Sequence, residues 1–260
     1  MPQQRLISGS MDTYFLTNWR QFWQHFREGL LTLLYPPDRR CPLCRESLPR
    51  QGWLCEKCRF ELEMWWEEPR CRRCGRLLNP GTEWCPACRQ KPPPFAVARA
   101  AAPYDGVFRQ ALHRLKFRGE LFLAEPMGKL MGEMAAREPL LQGVELAVPV
   151  PLHPRRFRER GFNQSALLAA ELARQLGIPC REALRKEKDT PDQVGLSKEE
   201  RRVNLAGAFA VTQPALIRDK HVLLVDDIFT TGSTAWHCAA ALLAGGAARV
   251  AVITWAAGAS

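Results

Sequence analysis

No apolar run in the 260 residues approaches the ~20 needed to cross a bilayer, so a transmembrane helix is excluded. Nor is the chain poor in hydrophobic residues: at 46% it can bury a core over one or two domains, which excludes a disordered protein. The N-terminus lacks the basic, then apolar, then small-residue order of a secretory signal, which predicts a cytoplasmic protein. A Walker-type phosphate loop is excluded too, because its G-x4-G-K-[ST] lysine is missing.

Basic residues and cysteines are plentiful. The 37 Lys+Arg against 27 Asp+Glu give a formal charge of +10, which favours anionic partners, although solvated arginines alone would give the same number. Eight of the ten cysteines form four C-x2-C pairs: Cys41/Cys44, Cys55/Cys58, Cys71/Cys74 and Cys85/Cys88. The first pair repeats as the third and the second as the fourth, each at an offset of 30 residues, so C-x2-C-x10-C-x2-C is written twice. Each copy supplies the four thiolates of a closed structural Zn2+ site, and Pro42, Pro86 and Gly75 suit the tight turns. Disulfides are disfavoured in a reducing compartment, and a redox C-x-x-C is not expected four times at a fixed period. The matched repeats favour sequential over interleaved quartets. Cys180 and Cys238 stand alone as small core hydrophobes.

Two Zn2+ ions, each carrying −2 with its thiolates, lower the formal charge to about +6 and weaken the case for a polyanionic partner. Arg39, Arg40, Arg70, Arg72, Arg73 and Arg76 could meet phosphates, but Glu61, Glu63, Glu67 and Glu68 lie among them.

Residues 1–36 read as a disordered tail followed by an amphipathic helix, with Phe15, Trp19, Phe22, Trp23, Phe26, Leu30, Leu33 and Leu34 spaced by threes and fours as far as Pro36-Pro37. Packing on its own protein is the first reading of that helix. Its aromatic content leaves peripheral membrane association or a partner open. Residues 37–91 hold the double ribbon, Lys91-Pro92-Pro93-Pro94 reads as a stiff linker, and 95–260 form a further domain. There, strand-like runs at Val97–Ala102, Glu145–Val150, Leu205–Val211, Val222–Val225 and Arg249–Trp255 alternate with helical periodicity at Val107–Phe117, Leu121–Arg137, Gln164–Leu176 and Ser233–Ala244. This predicts an α/β fold, a parallel sheet flanked by helices, with ligands at the strand ends.

Val222–Thr234, VLLVDDIFTTGST, carries the chemistry. A buried strand leads to Asp226 and Asp227, then to a loop of Thr230, Thr231, Gly232, Ser233 and Thr234, then to a helix. Hydroxyls, backbone N–H groups and a helix N-terminus suit a phosphate, Gly232 permits its close approach, and the carboxylates suit ribose hydroxyls.

This stretch resembles the 5-phosphoribosyl-1-diphosphate (PRPP) motif of type I phosphoribosyltransferases. Further segments resemble the ComF family of competence-linked phosphoribosyltransferases: VPVPL at Val148–Leu152, RGFNQ at Arg160–Gln164, TPDQVGLSKEERRVN at Thr190–Asn204, YDG at Tyr104–Gly106 and LKFRG at Leu115–Gly119. An N-terminal C-x2-C ribbon is usual in that family. Lys188 and Asp192 depart from its pattern. The resemblance covers roughly residues 30–255 and implies a type I phosphoribosyltransferase fold, a Rossmann-like sheet preceded by a small double zinc-ribbon domain with four cysteines per site.

It also implies attack of a nitrogen acceptor on C1 of PRPP, with Mg2+, and release of pyrophosphate. Asp226 and Asp227 would hold the ribose and Thr230–Thr234 the 5′-phosphate. The turn carrying His153, Arg155, Arg156, Arg158, Arg160, Asn163 and Gln164 would face the pyrophosphate. The polar stretch Lys188–Asn204 reads as a flexible lid with Thr190, Gln193, Arg201 and Asn204 as contacts, and Lys116 could reach phosphate or nucleobase, although a lysine on a helix face is commonly just solvated. A different class of function stays open: a non-catalytic PRPP or nucleotide sensor, or an adaptor docking competence-machinery proteins or single-stranded DNA. A zinc-ribbon transcription factor would leave the α/β domain without a role.

Overall fold

The structure is a computed structural model in which residues 40–46, 48, 52–188 and 207–258 are described. The expected helix at 15–34 and the lid residues Thr190, Gln193, Arg201 and Asn204 lie outside the described residues.

Val222–Val225 are wholly buried because the strand they form is covered on both faces. Val222 and Leu224 point into one apolar cluster and Leu223 and Val225 into the other, the period-2 alternation of a strand. That strand, β5 (His221–Phe229), lies between β2 (Leu146–Pro149) and β6 (Arg249–Ala257), and β1 (Ala98–Pro103) pairs with β6. All four strands are parallel, in the order β1-β6-β5-β2, with Val148 beside Leu224 and Asp226 beside Thr254. Helices α3 (Gly106–Arg118), α4 (Ala124–Arg137) and α6 (Gln164–Leu176) contribute to one cluster, and α8 (Ser233–Ala244) to the other, where Cys238 is the small core hydrophobe expected.

Several expectations change. The strand anticipated at Leu205–Val211 is described only as β4 (Phe209–Val211), which leaves the main sheet to pair antiparallel with the unanticipated β3 (Leu184–Lys186). The helix from Leu121 opens as a 3-10 turn, Leu121–Leu123, before α4. The arginine-rich turn after β2 is itself a helix, α5 (Pro154–Arg160), with Pro154 in its first turn and His153 capping it. Helices α1 (Glu56–Glu67), α2 (Pro86–Gln90) and α7 (Pro214–Ile217) complete the elements.

Residues Cys41–Ser260 form one compact unit, so the Lys91–Pro94 run is not a gap in packing. Cys55 and Cys85 cap α1 and α2, their sulfurs accepting the Cys58 and Cys88 N–H groups, each at 3.4 Å. The second ribbon lies directly on β1: Arg73 C=O accepts the Ala98 N–H at 2.7 Å, and a Cβ on Gly75 would sit 2.6 Å from the Ala98 carbonyl oxygen. Buried Arg99 pairs with Glu138 at 2.6 Å and donates to the Cys71 and Arg72 carbonyls. Arg114 on α3 anchors the first ribbon by donating to the Pro42 and Leu43 carbonyls, both at 2.6 Å.

Candidate functional site

Asp226 and Asp227 stand where β5 emerges from the core, the end of a parallel strand at which ligands bind. Asp226 Oδ1 accepts from Ser165 Oγ and from the Asp227 N–H, both at 2.9 Å. Burial, and then the charge of Asp227, push the Asp226 carboxyl up to about 7, against the opposing pull of the Asp227 N–H, the Ser165 hydroxyl and Lys116. Asp227 Oδ2 takes two donors, the Gln164 amide and the Lys116 ammonium, the latter at 2.8 Å. Arg160 in turn donates to Gln164 Oε1.

Asn163 and Gln164, expected to face pyrophosphate, are buried and engaged with the protein. Asn163 caps α6 through the Ser165 N–H at 3.0 Å and donates to the Val150 carbonyl at 3.0 Å, so it pins the end of β2 to the start of α6. Gln164 carries that anchor across to β5. Ser165 was missed by sequence reasoning, although it directly follows RGFNQ at the start of a helix.

The loop Thr230–Thr234, expected to hold a phosphate, follows β5. Thr230 is exposed, Thr231 and Thr234 are half-buried and Ser233 is buried. Gly232 stands at the N-cap of α8 with φ +77° and brings no side chain of its own; the Ser233 N–H donates to Thr231 Oγ1 at 3.4 Å, and the remaining first-turn N–H groups suit an anion. Thr231 Oγ1 bonds Ser233 Oγ at 2.9 Å, and the Phe229 ring lies beneath Gly232, edge-on to Phe95 with centroids 6.2 Å apart.

The basic residues of α5 do not act as one group. Arg156 and Arg160 line a cavity with Lys116, Phe117, Gly119, Glu159 and Phe162. Arg158 lines a different one, with Phe157, Glu182 and Arg185. Arg155 pairs with Glu159 at 3.3 Å on the surface, and His153 Nδ1 accepts the Arg155 N–H at 3.4 Å.

The cysteines gather sequentially, Cys41, Cys44, Cys55 and Cys58 in one quartet and Cys71, Cys74, Cys85 and Cys88 in the other, each with its sulfurs within 4.8 Å of one another. These are two four-thiolate zinc-ribbon sites, donor sets suited to structural Zn2+.

Residues 30–89 match the family described as double zinc ribbon domain, and residues 163–260 match the phosphoribosyl transferase domain. The DNA utilization protein YhgH of Salmonella typhimurium is 35% identical over 217 residues, spanning 82% of this chain and 94% of that protein. Competence protein F of Haemophilus influenzae is 31% identical over 75% of this chain and 86% of its own length. The chain belongs to the ComF family. Competence protein ComFC of Bacillus subtilis, 29% identical over 88% of both chains, is a further relative. In this ComF-family chain the matched transferase domain contains Gln164, Ser165, both aspartates and the loop Thr230–Thr234, whereas Lys116 lies outside both matched stretches. Among the described residues no helix is long and apolar enough to cross a membrane.

Proposed function

We propose that this protein binds PRPP with Mg2+ and transfers its phosphoribosyl group to a nitrogen acceptor, releasing pyrophosphate, in a cell's use of DNA. One observation carries the reading: an aspartate pair late in β5 is followed by the Thr230–Thr234 loop and the glycine-capped start of α8, with a cavity lined by Lys116, Arg156 and Arg160 beside it. The names of the relatives, DNA utilization protein and competence protein, supply the physiological setting.

In this reading Thr230–Thr234 hold the 5′-phosphate and fix the sugar. Asp226 and Asp227 accept hydrogen bonds from the ribose hydroxyls, steadying the cationic character that develops at the ring as the bond to the leaving group breaks. Arg156 and Arg160 receive the growing negative charge of the diphosphate. Thr190, Gln193, Arg201 and Asn204 would close over the reacting centre and keep water out. The two carboxylates and the phosphate oxygens are hard donors that fit Mg2+, which when bound supplies charge neutralisation at the diphosphate. The Zn2+ ions are structural, holding ribbons that are packed into the same unit as the sheet.

Calorimetry with PRPP and Mg2+, followed by pyrophosphate release across a panel of bases and amines, tests the proposal. Binding and turnover are expected in the wild type, with both lost in Asp226→Ala/Asp227→Ala. One oxygen of each aspartate is already engaged by the protein, Asp226 Oδ1 by Ser165 and Asp227 Oδ2 by Gln164 and Lys116, and binding without turnover under all conditions would support a second reading, a PRPP-sensing module.

A further inference from the structure

Lysine is costly to bury unless its ammonium is paired, and Lys116 has only 13% of its side chain exposed. Leu112 and Leu115 seat α3 in the core one turn and one residue before it, so its backbone is fixed and only its four-carbon stem can redirect the charge. That stem ends between two places. On one side is Asp227 Oδ2, at 2.8 Å. On the other is the cavity that Lys116 lines together with Arg156 and Arg160.

Asp227 Oδ2 is filled by its two donors, Lys116 and Gln164. A ribose hydroxyl donating to that oxygen must displace one of them. Gln164 is buried and held from behind by Arg160, whereas Lys116 has a wide choice of rotamers and a second anionic site within its own cavity once a diphosphate is there. A diphosphate carries more negative charge than a single carboxylate, and so attracts the ammonium more strongly at equal distance.

We infer that Lys116 is the exchangeable counter-ion of this site: it pairs with Asp227 as seen here and passes to the diphosphate of PRPP when that ligand binds, freeing Asp227 Oδ2 for the ribose. The inference rests on the proposed function and deepens it by assigning one side chain to both halves of the ligand. It also separates Lys116 from a fixed structural ion pair, because a fixed pair would act alike on every ligand that uses the aspartates.

The experiment is titration calorimetry of the full zinc-loaded chain with two probes, PRPP with Mg2+ and ribose 5-phosphate, which lacks the diphosphate. Lys116→Met is expected to weaken PRPP by about ten-fold or more, the worth of a hydrogen bond between charged groups, and to leave ribose 5-phosphate within about two-fold or slightly tighter. Lys116→Arg is expected to restore most of the PRPP affinity. If the methionine variant does not fold, judged by zinc content and melting, Lys116→Gln takes its place. Equal weakening of both ligands, or unchanged PRPP binding, overturns the inference while leaving the proposed function standing. A wild-type chain that binds neither probe overturns both.

Discussion

The Trp65 indole N–H donates to the Ala100 carbonyl at 3.0 Å, on β1, the edge strand of the sheet. Beside it Trp66 donates to Ala101 at 2.8 Å, so α1 of the first ribbon covers an edge strand that would otherwise offer unpaired backbone groups to other chains. Trp65→Phe keeps an aromatic ring but leaves the Ala100 carbonyl buried without this donor, at a cost of about 1–3 kcal/mol. Thermal melts should show a fall of about 2–10 °C, and an unchanged melting temperature would remove the edge-sealing role.

The same packing makes the ribbons part of the transferase fold. Metal analysis should find two Zn2+ per chain. Chelation, or acidification that protonates the thiolates, is expected to melt or aggregate the whole unit together with the ribbons, and a fragment of residues 95–260 should be poorly soluble. A fragment that stays monomeric and cooperative would show that the sheet needs no cover.

Arg99 and Glu138 give a third prediction. Arg99→Met leaves the buried Glu138 carboxylate without its cation and should cost about 3–5 kcal/mol. Arg99→Met/Glu138→Leu, which leaves no unpaired charge, should be less destabilised than the single variant in denaturant titrations. A double variant worse than the single would mean that the ribbon carbonyls held by Arg99, at Cys71 and Arg72, dominate.

How much of this was legible in the sequence depends on distance along the chain. Strand β5, the placement of the aspartates late in it and the turn from Thr230 into α8 were readable because four apolar residues, two carboxylates and five small residues follow within one short stretch. The zinc quartets were readable because a repeat is visible without knowing the fold. By contrast β3 and β4 are three residues each, too short for alternation to register, and α5 lacks an apolar stripe, its start being fixed by Pro154 and the His153 cap. The docking of α1 was hidden because exposed Phe60 and Met64 blur the buried stripe of Leu62, Trp65 and Trp66. Lys116 was readable only as a candidate for phosphate or nucleobase, or as a solvated helix lysine, because its partner, Asp227, lies on a strand more than a hundred residues away, a proximity no local pattern encodes.

Asp226 makes stability depend on pH. Its folded carboxyl holds a proton up to about 7, whereas in the unfolded chain the proton leaves near 4. Between those values the folded state binds more protons, so stability falls as pH rises through the window and the loss is complete above it. Asp226→Asn removes the ionisation, so its melting temperature should exceed the wild type's at pH 8, with the gain shrinking toward pH 5. A gain independent of pH would point to packing instead.

Gly232 and Phe229 test the phosphate loop by a route separate from Lys116. At φ +77° a non-glycine residue is strained by roughly 1–2 kcal/mol, and the new Cβ of Gly232→Ala would also lie 2.7 Å from the Phe229 ring. PRPP and ribose 5-phosphate share the 5′-phosphate, so both should weaken together by about ten-fold or more, unlike the selective loss expected at Lys116. Adding Phe229→Leu relieves the ring contact but not the backbone strain, so the double variant should recover part of the affinity for both ligands. Full recovery would assign the whole defect to the ring, and selective loss of PRPP alone would mean that the loop does not hold the phosphate the two ligands have in common.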